Sequence, residues 1–423
     1  MNVSHLGIIK INETPPPLNL TPQEIEALAD ELVDYHAAFA ELYYRQEQAH
    51  WSYKYLQGLM LPIERKSIEP MALALENGNV QAMQQFIGQG QWDDAALLQQ
   101  HWRLVDETLG EADGVCIVDG SDFPKQGEHS VGVARQWCGR LGKVDNCQAG
   151  VFAAYASRQG YTRLDRRLYL PAEWFDATHR ERWQRCGIPA DTPFTTKPAL
   201  ALEMLRAVVT AGTLRFRWVT CDEAFGREPT FLDGVAALPR WYMAEVPHDT
   251  RLWLSRPATV VPAWSGRGRR PRKARLVPGA LAPQRVDQLA AAIPVAEWQP
   301  YLMKEGSKGP LVAEFACRRG VAVRGGLPGP DVWLVCRRAL GEHPELKVYL
   351  SNAPAQTPVA ALVRVTGMRW PIETAFEESK GGLGMDHYEV RSWLGWHHHI
   401  TLCLLAHHFL VRARQRVKKG RQR

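Results

Sequence analysis

Residues 114–120 read GVCIVDG, and they divide the chain into two kinds of sequence. Four apolar residues, three of them β-branched, are closed by Asp119 and Gly120, the pattern of a buried strand that ends in a turn. Upstream the pattern is helical. Thr21 is placed to cap a helix, Pro22 suits its first position, and Glu24 completes a capping box. Apolar residues then recur at helical spacing through PQEIEALADELVDYHAAFAELY (22–43), PMALALENGNVQAMQQFIGQ (70–89) and AALLQQHWRLVDETLG (95–110). The sequence therefore predicts a linker over residues 1–20 with its Pro15-Pro16-Pro17 run, and a helical domain over 21–110.

Downstream, strands and helices mix. In LRFRWVTCDEAFG (214–226), Leu214, Phe216 and Trp218 alternate with Arg215 and Arg217, again a strand, and Asp222 stands at its end. Residues 241–345 are rich in Pro, Gly, Arg and β-formers such as DVWLVCRRAL (331–340), which predicts a β-rich insertion with an extended basic loop. The strand LKVYLSN (346–352) follows. Helix resumes at RWPIETAFEESK (369–380) and continues through LGWHHHITLCLLAHHFLVRAR (394–414). The expected organisation is α/β, with a core over 111–240 and 346–411 split by the insertion, and a basic tail over 412–423.

The 423 residues suffice for two or three packed cores. The net charge of +6 is modest, but its distribution is not even. No acidic residue falls between Thr250 and Asp287, whereas Arg251, Arg256, Arg267, Arg269, Arg270, Arg272, Lys273, Arg275 and Arg285 all do. Arg412, Arg414, Arg416, Lys418, Lys419, Arg421 and Arg423 repeat the pattern in the tail. Two acid-free basic segments point to a polyanion, and phosphate contacts make nucleic acid the natural one.

The eight cysteines include no C-x-x-C pair, so they read as reduced thiols in a cytoplasmic protein. His399, Cys403 and His407 are spaced by four, but their apolar neighbours favour a core face over a metal site. His397, His398 and His399 are consecutive and point in three directions on a helix, so they cannot chelate one ion together. Trp370, Trp393 and Trp396 read most simply as core residues of the last helices. GRLGKV (139–144) lacks the earlier Gly and the following Ser/Thr of a phosphate-binding loop, which argues against a nucleotide partner. The apolar run ITLCLLAHHFLV (400–411) is too short and too polar for a bilayer span, so no membrane partner is expected.

The chemistry concentrates in three carboxylates and two cations. If residues 369–380 form one helix, Arg369, Glu373, Phe376 and Lys380 share a face; Pro371 fits its first turn and Gly381-Gly382 its stop. Asp119 and Asp222 each close a strand. Three such carboxylates together can hold two divalent ions about 4 Å apart for phosphodiester chemistry, with magnesium the suited ion and manganese a substitute. Fixed cations beside a phosphoryl transition state stabilise it. Lys125, His129, Arg135, Gln136, Lys143, Asn146 and Gln148 make the stretch after Asp119 polar and basic, a strand and its approaches suited to lie near DNA.

On VDGSDFPKQGEHSVGVARQWCGRLGKVDNCQAGV (118–151), VTCDEAFG (219–226) and RWPIETAFEESKGGLGMDHYEVRSWLGWHHHITL (369–402), the chain resembles a bacterial insertion-sequence DDE transposase of the cut-and-paste branch with a Tyr-Arg-Glu-Lys signature. The resemblance extends over about 60–411. It implies an RNase H-like catalytic core interrupted by a β-rich insertion, with Asp119, Asp222 and Glu373 as metal-binding catalytic carboxylates. Arg369 and Lys380 match the signature cations that contact DNA phosphate near the cleaved end. Thr366 stands where the signature has Tyr, and Asp119-Gly120-Ser121-Asp122 replaces the common Asp-Asp-Thr, which leaves Asp122 as the reserve for Asp119. The implied function is binding, cleavage and joining of transposon ends by a dimer on double-stranded DNA, nucleoid-associated when bound. Lys125, Arg135, Arg269, Arg270, Arg272 and Lys273 are the further expected DNA contacts. A non-catalytic DNA-binding regulator and a metal-dependent nuclease without strand transfer are the alternatives.

Overall fold

The structure is a computed structural model, and it describes residues 21–264, 266–306, 309–340 and 345–421. The expected linker, Gln422 and Arg423 of the tail, and the side chains of Lys418, Lys419 and Arg421 lie outside the described residues. Five helices come first: α1 (Pro22–Ala40), α2 (Gln46–Met60), α3 (Ile68–Ala74), α4 (Val80–Gly88) and α5 (Asp94–Leu109). Strands β1 (Val115–Pro124), β2 (Ala134–Cys138), β3 (Lys143–Ser157) and β4 (Gly160–Tyr169) precede α6 (Arg180–Arg185) and α7 (Lys197–Ala211). Then come β5 (Trp218–Cys221), α8 (Glu223–Gly226), α9 (Pro229–Ala237), β6 (Trp241–Glu245), β7 (Arg251–Trp253), β8 (Thr259–Val260), β9 (Arg275–Leu276) and β10 (Gln284–Arg285). The chain continues through α10 (Val286–Ala291), β11 (Gln299–Gly306), β12 (Gly309–Arg324), β13 (Leu327–Ala339), β14 (Leu346–Ser351), α11 (Val359–Gly367), α12 (Pro371–Glu377) and α13 (Trp393–Arg421). The described residues divide into two compact units, one of residues 218–369, the other of residues 21–217 together with 370–421.

The second of these units contains the first strands and the last helices. Thr21 caps α1 through the capping box read from its sequence, and α1, α2, α4 and α5 all pack on α13. Polar side chains tie this packing down: Tyr35 Oη donates to the Leu405 carbonyl at 3.1 Å, and Tyr55 Oη meets His399 Nδ1 at 2.8 Å. Trp92 stacks on His398 with ring centroids 3.6 Å apart. The consecutive histidines 397–399 are thus core residues, as is Trp396, while Trp370 is 48% exposed. That corrects its reading as a core residue: Trp370 stands in the turn before α12.

β3 organises the sheet of this unit. Its start pairs with β2, and its remainder lies between β1 and β4, all antiparallel. The strand expected to stop at Asp119 runs on to Pro124, because β3 keeps offering partners: Asp119 faces Phe152, Asp122 faces Ala149 and Pro124 faces Cys147. Asp119 is therefore a mid-strand residue, and Asp122 lies in the same strand instead of the loop. Directly opposed residues share a face of the sheet, so Phe152 reports where Asp119 points. The Phe152 ring meets Phe376 of α12 edge-on at 5.2 Å and also touches Phe123 and Trp396. Gly150 leaves room for this cluster: a Cβ there would fall 2.6 Å from the Phe152 ring.

In the other unit, β5 and β6 are parallel, joined by α8 and α9, and α11 packs on both. The sheet runs β10–β7–β12–β13–β14–β6–β5, with β11 on the edge of β12. Strands drawn from 241–345 are thus continuous with β14. Strands β8 and β9 form a separate hairpin whose tip is the basic loop 261–274. Only Trp218–Cys221 of the expected LRFRW strand is a strand. Leu214 and Phe216 are still buried, but Arg215 and Arg217 bond singly through their backbone N–H, to Asp106 Oδ1 at 2.8 Å and the Gly114 carbonyl at 3.0 Å. Apolar alternation marked burial, not a ladder.

The helix expected over 369–380 is also different. α11 ends at Gly367, Arg369 occupies a turn, α12 starts at Pro371, and residues 378–382 form a π-helical turn. Proline at the first helical position starts the helix after Arg369 and not before it. Phe152→Ala is expected to destabilise the protein by about 3–5 kcal/mol, read as a lowered urea midpoint in circular dichroism.

Candidate active site

Asp119 is half-buried on β1, and its Oδ1 accepts from the Gly120 N–H at 2.7 Å. Glu373 is half-buried in the first turn of α12, three residues before Phe376. The contact of Phe376 with Phe152 places α12 over the sheet face that carries Asp119. Lys380, in the π-turn, joins the same face. Its ammonium lies 5.2 Å from the Phe123 ring centroid and 5.9 Å from that of Phe376, and donates to the Asp122 carbonyl at 3.5 Å. Burial, together with Arg140, pulls its pKa below the ordinary lysine value against the opposing pull of Asp386 and Asp122.

Asp122 is placed differently from Asp119. Three residues apart on a regular strand, the two point to opposite faces, and Asp122 Oδ2 is held by the Gly139 N–H at 2.6 Å. That bond anchors the β2–β3 turn, which is further fixed by an Arg140–Asp386 ion pair. Arg135 is exposed on the outer face of β2 beside Trp137, itself 61% exposed. Lys125 sits 3.6 Å from the Tyr388 ring centroid, and burial lowers its pKa to about 8.

Asp222 and Arg369 belong to the other unit. Asp222 caps α8, with Oδ1 accepting from Ala224 N at 3.1 Å and Phe225 N at 3.3 Å. Burial raises its pKa above the usual carboxylate value, with Glu245 adding to the rise, while the capping N–H groups and Arg369 oppose it. Arg369 Nε lies 3.6 Å from Glu245 Oε2, and Lys347 Nζ lies 3.0 Å from Glu245 Oε1. Glu245, at the end of β6, is a functional candidate that the sequence reading passed over; its strand-end position was the available signal.

Arg269, Arg270, Arg272 and Lys273 are exposed on the β8–β9 loop. Trp264, 50% exposed on the same loop, donates its indole N–H to the Gly268 carbonyl at 3.1 Å. It too was missed, because the loop was read for charge alone. At the start of the tail, which continues α13, Arg412 and Arg416 approach Glu31, at 4.0 and 3.3 Å, and Arg414 pairs with Glu378 at 3.2 Å.

The donor chemistry suits a hard divalent ion, since all three carboxylates offer oxygen and two are oriented by backbone N–H groups. Among the described residues, no group of three or more His, Cys, Asp or Glu side chains is gathered as a metal site. Asp119 and Glu373 lie on packed elements of one unit, and Asp222 lies in the other. Among the described residues, no helix is long and apolar enough to cross a membrane.

The family described as DDE superfamily endonuclease matches residues 35–310, a stretch that contains Asp119 and Asp222 and ends before Glu373. A probable transposase for insertion sequence element IS701 from Microchaete diplosiphon is 28% identical over 177 residues, or 41% of this chain. The match spans 43% of that relative's length. The crystal structure of the NurA nuclease from Sulfolobus solfataricus aligns with 67% of this chain and 86% of its own at 10% identity, with a TM-score of 0.24, a likeness that carries no argument.

A raised Asp222 pKa has a stability consequence. The folded chain binds that proton more tightly than the unfolded chain, so stability falls as pH rises from the ordinary carboxylate value through the raised one. Asp222→Asn keeps a good helix cap and removes the buried charge. Its melting temperature at pH 7 is expected to equal or exceed that of the native chain, with the difference vanishing toward about pH 4; differential scanning calorimetry across pH checks this.

Proposed function

The chain belongs to the DDE superfamily of endonucleases, and from that premise we propose that it is a DNA transposase of the cut-and-paste type with a Tyr-Arg-Glu-Lys-like signature. It binds the terminal repeats of its insertion sequence as a dimer, cleaves the ends and joins them to target DNA. The observation that carries this reading is Asp119 on β1 and Glu373 on α12, borne by elements packed through Phe152 and Phe376, with Lys380 on the same face. Binding alone has no use for half-buried carboxylates set beside a cation that could meet a polyanion.

Asp119, Asp222 and Glu373 would hold magnesium, or manganese in its place, which supplies activation of the attacking oxygen and neutralises charge on the leaving one. The remaining work belongs to the side chains. Lys380, confined between two rings and a carbonyl, offers its charge to a phosphate without the entropic cost of ordering a free lysine. Arg369 exchanges its Glu245 partner for a phosphate of the cleaved end, so the ion pair keeps the guanidinium oriented before DNA arrives. The β8–β9 loop, with Arg269, Arg270, Arg272 and Lys273 around Trp264, is suited to the DNA backbone, as is Arg135. The helices over 21–110 share end recognition in this reading.

A metal-dependent nuclease without strand transfer uses the same groups and differs only in the joining step. Glu373→Gln is expected to abolish cleavage of a labelled duplex carrying the element's ends while binding in gel shift is retained, and chelation of the metal should do the same to the native chain. Native protein that binds but never cuts would move the reading to a non-catalytic regulator. Cutting without joining of pre-cut ends would favour the nuclease. Arg369→Ala should weaken complexes with the ends by about tenfold while leaving the melting temperature nearly unchanged.

A further inference from the structure

The π-helical turn after α12 is held in place at both ends. At its start, Glu378 Oε2 accepts from His407 Nε2 at 3.1 Å and Oε1 from Arg414 Nη1 at 3.2 Å. His407 is buried, and its Nδ1 meets the Thr162 hydroxyl of β4 at 3.0 Å. A neutral imidazole satisfies both contacts, donating from Nε2 and accepting at Nδ1. At the turn's end, the Lys66 ammonium donates to the Gly382 carbonyl and, at 2.7 Å, to that of Leu59. The Met385 N–H closes the turn on the Ser379 carbonyl at 3.0 Å. Burial by itself would raise the Glu378 carboxyl, yet His407 and Arg414 hold it below its usual value, so it is an anion clamped by two donors from one helix.

We propose that Glu378 is a positioning residue: gripped by His407 and Arg414 of α13, it fixes the π-turn and thereby sets the Lys380 ammonium on the sheet face that carries Asp119. The proposal deepens the transposase reading and rests on it for the role of Lys380. The geometry gives the reason. A π-turn takes one residue more than an α-turn, and such insertions recur at functional sites. It carries Lys380 onto Phe123 and the Asp122 carbonyl. Glu378 lies two residues from Lys380 and five from Glu373, so a clamp here fixes the spacing between the carboxylate and the cation. Neither His407 nor Arg414 belongs to the proposed metal or phosphate contacts; their side chains are committed to the clamp.

A double-mutant cycle tests this with full-length protein and a duplex carrying the element's ends. Glu378→Ala is expected to lower kcat about tenfold while KM for DNA changes by less than about twofold, since a misplaced group costs rate more than binding. If Glu378 acts through Lys380, adding Glu378→Ala to Lys380→Ala causes no further loss. In the absence of DNA, acetic anhydride should modify Lys380 several-fold faster in Glu378→Ala than in the native chain, read by peptide mass spectrometry. Glu378→Gln, which keeps an acceptor for His407, should restore most of the rate. Additive losses in the cycle, or an unchanged rate of Lys380 acetylation, would overturn the proposal. Should Glu378→Ala fail to fold, Arg414→Met takes its place in both arms. A native chain that does not cleave the duplex defeats the transposase reading alone, because acetylation still decides whether Glu378 holds Lys380.

Discussion

The site in this protein depends on how Phe152 is packed. Its ring is the point where β1, β3, α12 and α13 meet, through Phe123, Phe376 and Trp396. A buried aromatic cluster of this kind combines large apolar area with edge-on geometry, and here it has a directional effect. Because Phe152 opposes Asp119 across the β1–β3 ladder, whatever packs on the ring covers the face on which the aspartate lies. α12 packs there, and it brings Glu373. Gly150 is part of the same constraint, since any side chain would displace the ring.

Charge is organised around that packing by hydrogen bonds that hold individual groups. Asp119 is oriented by the Gly120 N–H and Lys380 by an aromatic pair and a carbonyl; in the other unit, taken by itself, Asp222 is oriented by the cap of α8. Each group gives up conformational freedom in the fold, so less remains to be lost on binding. The cost appears as a raised carboxyl at Asp222 and a lowered ammonium at Lys380, both caused chiefly by burial. Functional groups held in unfavourable protonation environments are a known signature of active sites. Glu378 is shifted the other way, because His407 and Arg414 hold its carboxyl below the usual value despite burial.

Much of the fold was legible residue by residue. The capping box at Thr21, the helices up to Leu109 and the apolar strand before Asp119 follow from local chemistry, and each is present. The failures share a cause. LRFRW alternates like a strand, but burial of Leu214 and Phe216 does not require a ladder. Asp119 was placed at a strand end because Gly120 reads as a turn, yet partners on β3 carry the strand past it. Arg369 was placed on the helix of Glu373 by counting, whereas Pro371 and the turn at 368–370 put it before the helix. Nor does the charge count of the basic tail reveal that Glu31 and Glu378, distant in sequence, pair with its first arginines.

The sequence by itself determined which residue types stand at candidate positions: Asp119, Asp222, Glu373, Arg369 and Lys380 are carboxylates and cations whose spacing on strands and helices suits the chemistry proposed for them. Periodicity and capping are local properties, so the helices and strands that bear these residues could be found without a structure. Only the tertiary structure decided where each group points and what holds it. The register of β1 on β3 put Asp119 and Asp122 on opposite faces, the Phe152 cluster drew α12 onto the face of Asp119, and His407 and Arg414 grip Glu378 at the start of the turn that contains Lys380. These depend on contacts between residues far apart in the chain, which no local pattern encodes.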